Sequence, residues 1–487
     1  MSVVASEGWK FAAIVLAAGQ GTRMKSERAK VVHEVAGRPM VAWPVEAALA
    51  AGAERVVVVV GHGRAEVEAA LAARFDGRVT TAVQAEQRGT GHATRCAMPT
   101  LDGFAGDVVI LYGDVPLLEP EAIAALGRAR ARGRGPLAML TCRAPDPTGY
   151  GRILRDADGA VVGIREHRDA SSHELAIDEI NPGVYAADAA FLREALEGLR
   201  TDNAQGELYL TDVVRAAAAH GGVDGIVWPL ASLAGVNDRA QLAEATKHMW
   251  QRIAARHARA GATIRSLDAV FIDADVAVEP DAILEPGVVL RGRTTIGRGA
   301  HVDVGCVLTN VRVDAGAYLK PYSVAVDSRI GEQAQIGPFS HLRPGSDIGP
   351  EAHLGNFVEA KNTSMARGAK ANHLAYLGDG IIGEGVNVGA GTIFCNYDGF
   401  QKHTTVLEEG SFIGSDSQLI APVRIGKNAY VATGTTVTRD VPDDGLAVGR
   451  MRQQNKDGYA PRLRAKLAAQ AKAAKEAKAA KERESKG

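Results

Sequence analysis

Ile330-Gly-Glu-Gln-Ala-Gln-Ile336-Gly-Pro-Phe-Ser-His-Leu342-Arg-Pro-Gly-Ser-Asp-Ile348-Gly-Pro-Glu-Ala-His-Leu354-Gly-Asn-Phe-Val-Glu-Ala360 sets an aliphatic residue at every sixth position. The same step runs through Val278, Leu284, Leu290, Ile296, Val302 and Leu308, and again through Ile413, Leu419, Ile425, Val431 and Val437. An α-helix repeats every ~3.6 residues and a coiled coil every ~3.5, so neither keeps such a set on one face. A left-handed parallel β-helix does. Each hexapeptide makes one flat side, three sides make a coil, and the aliphatic residue points inward. Gly follows the aliphatic residue at Ile330, Ile336, Ile348 and Leu354. Gly and Asn are expected at the corners, where the backbone needs φ > 0. The β-helix is predicted over roughly 263–448, within a carboxyl-terminal domain of 263–460.

Upstream the pattern changes. Ala12–Leu16, Arg55–Val60 and Val108–Leu111 are short continuous apolar runs, as in parallel strands covered on both faces. Ala-rich stretches such as Met40–Ala51 and Glu66–Ala73 alternate with them as helices. Residues 1–236 therefore read as a doubly wound, Rossmann-like α/β domain with a mostly parallel sheet. Asn237-Asp238 caps a helix reaching about Ala260, with Leu242, Met249 and Ile253 on one side, which makes 237–262 a connector. The Ala- and Lys-rich segment 461–487 reads as a solvated, partly helical basic tail.

Bulk properties narrow the classes. The chain has 487 residues, enough for several domains with sizeable cores. A net charge of −1 gives no pull toward nucleic acid or anionic membranes. Cys96, Cys142, Cys306 and Cys395 form no CxxC pair, which suits a reducing compartment and no disulfide framework. Lys10 and the apolar run Phe11–Ala18 could pass for a signal peptide, but the run is brief and leads into a Gly-rich turn. No stretch approaches the ~20 apolar residues of a membrane span. A cytoplasmic enzyme is expected.

Leu16-Ala-Ala-Gly19-Gln-Gly21-Thr-Arg23-Met24 follows the first strand, with Lys30 beyond it. Small residues let backbone N–H groups approach phosphate oxygens, and the two cations neutralise charge. The string is neither GxGxxG nor GxxxxGK[ST]. Tyr112-Gly-Asp114-Val-Pro116 ends a central strand, where open α/β sheets bind ligands. Asp114 reads either as a turn former or as an oxygen ligand for Mg²⁺. Gln84-Ala-Glu86-Gln-Arg-Gly89-Thr90 could read a base edge or be a plain loop. In the second half the hexapeptide repeat breaks between about 362 and 379. The break carries Lys370-Ala-Asn-His373-Leu-Ala-Tyr376-Leu-Gly-Asp379. An insertion in a solenoid maps to a loop on one face, often the functional one. Histidine is the side chain suited to take a proton from an amine near neutral pH. Arg343, Lys361 and Lys402 add cations, and Asn387, Asn396 and Tyr397 add polar groups to an otherwise aliphatic coil.

These motifs carry a resemblance. Gln84–Ala93 (QAEQRGTGHA), Leu111–Pro116 (LYGDVP), Pro147–Ile153 (PTGYGRI) and Gly235–Asn237 make residues 1–236 similar to sugar-1-phosphate nucleotidyltransferases. With the β-helix, the chain resembles the bacterial bifunctional N-acetylglucosamine-1-phosphate uridylyltransferases / glucosamine-1-phosphate acetyltransferases across nearly all of 11–459. The resemblance implies that acetyl-CoA acetylates glucosamine-1-phosphate in the second half. N-acetylglucosamine-1-phosphate then attacks the α-phosphorus of UTP in the first, giving UDP-N-acetylglucosamine for peptidoglycan and lipopolysaccharide. It implies Leu16, Ala17, Gly19, Gln84, Gly89 and Thr90 at the uridine nucleotide, Arg23 and Lys30 at the phosphates, Asp114 and Asn237 at Mg²⁺, and Gly151, Glu166 and Asn181 at the sugar. In the second half His373 would be the general base. Arg343, Lys361, Tyr376, Asn387 and Lys402 would hold glucosamine-1-phosphate. Asn396 and Tyr397 would lie at the sugar–thioester boundary, and Ala390, Ser415, Thr433 and Arg450 at acetyl-CoA. Pro182 and Thr433 depart from the family's usual Thr and Ala. A three-sided coil offers flat faces that pack around a threefold axis, so a homotrimer is expected, and nothing in the sequence suggests a tunnel, so the intermediate is expected to be released between sites.

Three rival readings compete. They are a nucleotidyltransferase with an inert β-helix, a structural trimerisation module, and a metal hydrolyase using His341, His353 and His373. Cys395 also invites an acyl-enzyme reading, although no motif activates it.

Overall fold

The computed structural model describes residues 8–133, 135–449 and 452–484. The first half is built on one twisted sheet. Its strands are β1 (Phe11–Leu16), β2 (Arg55–Val60), β3 (Thr80–Val83), β4 (Asp107–Tyr112), β5 (Leu137–Arg143), β6 (Gly151–Arg155), β7 (Val161–Arg165), β8 (Glu179–Asn181), β9 (Tyr185–Asp188) and β10 (Val223–Val227). Their order is β3-β2-β1-β4-β9-β5-β8-β6-β7, with β10 also on β5. The three expected apolar runs are β1, β2 and β4, side by side and parallel. They are buried on both faces, which is why they read as continuous rather than alternating. Beyond β4 the sheet turns antiparallel, through β9 against β4 and β5, then β8 and β6.

The second half is a three-sided prism. Among the described residues its faces are parallel sheets of eleven, ten and nine strands. The first face contains Asn387–Val388, the second Glu359–Lys361, and the third Gly380–Ile382. Inward aliphatic residues from Val278 to Val437 are buried and form one continuous core. Each such side chain contributes about 1.5–3 kcal/mol of burial.

Two expectations are corrected. The coil does not break at 362–379. Lys370–His373 pairs in register with His353–Asn356 below it, and Lys370 and Ala371 pair with Asn387 and Val388 above. What changes is the step. Met365 follows Ala360 after five residues and Ile382 follows Leu377 after five, so a strict six-residue count loses phase. The excursion lies instead at 396–404, between Ile393–Cys395 and Thr405–Leu407. Of the glycines after the aliphatic residues, Gly337 takes positive φ as expected, but others have another cause. Gly331 and Gly349 do not have positive φ, but a Cβ would stand 2.7 and 2.5 Å from backbone atoms of the next coil. Close stacking excludes a side chain there. Asn310, Asn362 and Asn428 do take positive φ at corners, as expected.

The halves share a core. Asp238 accepts from the Gln241 N–H and caps the helix Arg239–Arg259, whose Met249 and Ile253 are buried with Val35, Met40 and the first coils. Ala274 N–H donates to the Ala36 carbonyl at 3.0 Å. Arg74 pairs with Glu46 and, at 2.9 Å, with Asp275, and Arg38 binds the same two acids. The tail forms a helix, Tyr459–Glu484, exposed along its described side chains.

Candidate active sites

Two cavities open at the carboxyl ends of β1 and β4. One, of about 280 Å³, is lined by Leu16, Ala17, Gly19, Lys30, Gln84, Gly89 and Thr90, the whole set expected at the nucleotide apart from Arg23. The other, of about 270 Å³, is lined by Gly151, Glu166, Asn181 and Asn237. Thr90, Tyr112, Asp114 and Glu207 line both, so the cavities meet at Asp114. A larger hollow of about 710 Å³ lies behind Glu166, Tyr209 and Thr211, but none of the loop residues or Asp114 reaches it.

The meeting point is charged. Lys30 Nζ lies 2.6 Å from Asp114 Oδ2 and 3.0 Å from Asn237 Oδ1, and an Arg23 guanidinium nitrogen is 2.9 Å from the same Asn237 oxygen. The two oxygens expected to hold a divalent metal thus converge on one cationic position. That donor set, two oxygens from a carboxylate and an amide, suits a hard ion completed by substrate phosphates. Among the described residues no group of three or more His, Cys, Asp and Glu side chains could hold a metal alone.

Several supporting contacts could not be read from the motifs. Arg152 is buried and donates to the Pro147 carbonyl at 2.7 Å and to that of Tyr150, pinning the loop that delivers Gly151. Thr211 Oγ1 donates to Glu166 at 3.1 Å. Burial nevertheless pushes the Glu166 carboxyl above its ordinary range, with the Thr211 bond opposing. Asn181 Nδ2 donates to Tyr185 Oη at 2.6 Å, and its Oδ1 accepts from Gly183 N–H at 3.0 Å. The latter bond skips residue 182, so Pro182, which has no N–H, leaves it intact. Gln84 is likewise tied, its Nε2 3.1 Å from the Gly89 carbonyl.

On the prism, register sorts the expected residues. Glu359 pairs with Tyr376 and Lys361 with Gly378 on the second face, beside Arg343 at the end of the strand below. Arg343 binds Glu359 at 2.8 Å. The 396–404 excursion brings Lys402 against Lys361, whose proximity lowers the Lys402 pKa. The loop is knotted by Asp398, which accepts from Phe400 and Gln401 N–H and lies 2.7 Å from the His403 ring. Asn396 is buried and its amide nitrogen lies 2.5 Å from Asp379. A Cβ on Gly378 would fall 2.6 Å from both Asn396 Nδ2 and Tyr376 Oη, so only glycine leaves room for both groups here.

His373 stands at the corner between the first and second faces. Its Nδ1 is 2.7 Å from Asn356 Oδ1. An amide oxygen only accepts, so Nδ1 is the donor in this bond, and in the neutral ring the lone pair falls on Nε2. Asn356 pairs with His373, and the register continues upward through Ala390, Ser415 and Thr433, each just before the left-handed corner residue. The five residues form one column at about 4.8 Å per coil. Asn387 lies on the first face, away from Lys361 and Tyr376. Arg450 lies outside the described residues. His341, His353 and His373 sit on the second face, the first face and the corner, which removes the metal-hydrolyase reading. Burial raises the Cys395 thiol pKa, which disfavours a nucleophilic thiolate.

Two family models match: a MobA-like NTP transferase domain over residues 13–218 and a bacterial transferase hexapeptide (six repeats) over 404–439. The "Bifunctional protein GlmU" of Sorangium cellulosum is 62% identical over 469 residues, covering 95% of this chain and 99% of that protein. The chain belongs to the bifunctional GlmU family. Relatives of the same name from Anaeromyxobacter and Geobacter sulfurreducens are 51% and 46% identical, each over 93% of this chain and over 93% and 99% of their own lengths. As a GlmU-family enzyme the chain acetylates glucosamine-1-phosphate and transfers uridylyl to N-acetylglucosamine-1-phosphate. Its nucleotidyl transfer needs a divalent metal, and its substrates are small molecules. The β-helix is thus neither inert nor merely structural. Among the described residues no helix is long and apolar enough to cross a membrane.

Proposed function

We propose that the two reactions divide along the chain, with uridylyl transfer in 1–236, a connector at 237–262, acetyl transfer in 263–460 and a tail at 461–487. The observation that carries the first site is the convergence of Lys30, Asp114, Asn237 and Arg23 where the two cavities meet. UTP occupies the cavity of Leu16, Gly19 and Gln84, and the sugar phosphate that of Gly151, Glu166 and Asn181. A phosphate oxygen of the sugar attacks the α-phosphorus in line, and the bond to pyrophosphate breaks. Arg23 and Lys30 neutralise charge on the moving oxygens, and no covalent enzyme intermediate is needed. Mg²⁺, held by Asp114 and Asn237, would supply further positive charge when bound.

In the acetyl site, Arg343, Lys361 and Lys402 face the sugar phosphate. His373 Nε2 accepts the proton that the glucosamine amine sheds as it attacks the thioester carbonyl, and the CoA thiolate leaves. Acetyl-CoA lies along the Ala390–Ser415–Thr433 column, which ends at His373. A neighbouring copy supplies a second wall. Tyr322, Phe339, Phe357 and Leu374 form an exposed corner stripe, and the three rings stack at 5.4 and 5.5 Å. An exposed apolar edge of that kind favours burial against another subunit, and a three-sided prism suits a homotrimer. A cytoplasmic location fits thiols that are all free. The test is to supply glucosamine-1-phosphate, acetyl-CoA, UTP and Mg²⁺ and to follow CoA and UDP-N-acetylglucosamine. CoA release should persist under EDTA while UDP-sugar formation stops. Loss of both would reject the division.

A further inference from the structure

We propose that Asp379 is a positioning residue for acetyl transfer: its carboxylate fixes which end of the Asn396 amide faces the reacting groups. The inference rests on the reading of the second face as the acetyltransferase site. Asp379 sits at the corner between the second and third faces, in a left-handed conformation at φ 51°. Its Oδ2 takes the Asn396 Nδ2 at 2.5 Å and its Oδ1 the Asn362 Nδ2 at 2.8 Å. Asn396 is 6% exposed, so its amide cannot turn over without leaving a donor unpaired in the interior. The nitrogen committed to Asp379 is also the atom that lies over Gly378, 2.6 Å from where a Cβ would stand, so the oxygen is the end of the amide left to the reacting groups. Burial opposes ionisation of Asp379, but the bonds from Asn362 and Asn396 and the charges of Lys361 and Lys402 outweigh it and hold the carboxyl low. The carboxylate's charge also acts on two lysines that repel each other.

The same corner supplies a control. Asp327 is also left-handed, at φ 42°, and accepts from Asn310 Nδ2 at 3.0 Å. None of the proposed site residues bonds its side chain. A purely structural corner role would make the two aspartates equivalent.

The test compares Asp379→Ala, Asp327→Ala, Asp379→Asn and Asn396→Ala in the full chain. Acetyl transfer, uridylyl transfer and thermal stability are measured for each. Asp379→Ala should lower kcat for acetyl transfer about tenfold to a hundredfold, the scale of a misplaced group. KM for glucosamine-1-phosphate should not rise, because a negative charge beside two lysines is gone. Asp327→Ala should lose a similar amount of stability and keep its rate. Asp379→Asn should recover most of the rate, since its amide oxygen can still accept from Asn396 while the exposed Asn362 turns over. Equal acetyl rates for the two alanine variants would overturn the inference, and so would an Asp379→Asn variant as slow as Asp379→Ala. A slow Asn396→Ala beside a fast Asp379→Ala would overturn this inference alone. Asn396→Ala at the wild-type rate would remove Asn396 from the site and sink the reading on which the inference stands.

Discussion

The two sites solve opposite problems. The amino-terminal site is a cleft. Parallel strands end together, so loops from distant parts of the chain deliver Gly19, Gln84, Asp114 and Asn237 into two joined cavities. The β-helix has no such interior, because its core is filled by aliphatic side chains from Val278 to Val437. Its chemistry must stand on the outside, on side chains that point away from the core. A sheet edge gathers a site from afar, whereas a prism writes it along a column and across a face. On the proposed division, the first is complete in one chain and the second calls for another wall.

That contrast is sharpest at His373. His373→Ala should cut acetyl transfer by about 10²–10⁴, the usual worth of a general base, and leave uridylyl transfer unchanged. Thiol release from acetyl-CoA across the neutral range measures it. A variant with most of its rate and an unmoved pH profile would make His373 a corner residue like Asn356 below it.

Asp114→Ala tests the cleft in the same way. Uridylyl transfer should fall by about 10²–10³, the scale of losing one preorganised charge contact, with acetyl transfer intact. The remaining activity should demand more metal. A folded variant that lost both activities would mean that cleft and prism are not independent.

Gly378→Ala probes the prism without touching charge. A Cβ would press on Asn396 and Tyr376 at 2.6 Å. Acetyl transfer should slow about tenfold through displacement of those two groups, with little change in melting temperature. An unchanged rate would show that their meeting over Gly378 is incidental.

The smallest effect concerns the join. Asp275 bridges Arg38 and Arg74, and the Arg74 bond leads in lowering its pKa to about 2. The folded pKa is below the unfolded one, so this stabilisation is present above the usual carboxylate range. It is lost as pH falls toward about 2. Asp275→Ala should cost about 1 kcal/mol near neutral pH, discounted because the pair is partly exposed. The gap from wild type should close in acid. A gap that stayed constant with pH would assign the loss to packing.

What the sequence made legible follows the same divide. The six-residue period announced the prism because inward positions repeat without long-range help. It misled where a side shortens by one residue, at Ala360 to Met365 and Leu377 to Ile382, so a change of phase looked like an insertion. The true excursion at 396–404 was hidden because Asn396, Tyr397 and Lys402 read as single polar residues rather than as one knotted loop. In the cleft, the Gly-rich loop and Asp114 were legible because anion binding and strand ends have local signatures. Thr211 and Glu207 were not, because each matters through residues far along the chain, and the bonds of Arg152 to the Pro147 and Tyr150 carbonyls exist only in the folded loop. Asn181 was read as a free sugar contact, yet both ends of its amide already have partners within the fold.

The most direct measurement mixes two defective proteins. Asp114→Ala keeps the proposed acetyl site and His373→Ala keeps the proposed uridylyl site. Neither alone should make UDP-N-acetylglucosamine from glucosamine-1-phosphate, acetyl-CoA and UTP. Combined with Mg²⁺, they should make it after a lag, as N-acetylglucosamine-1-phosphate leaves one protein and reaches the other. A mixture as inactive as its components, with each protein folded, would contradict two separate sites joined by a diffusing intermediate.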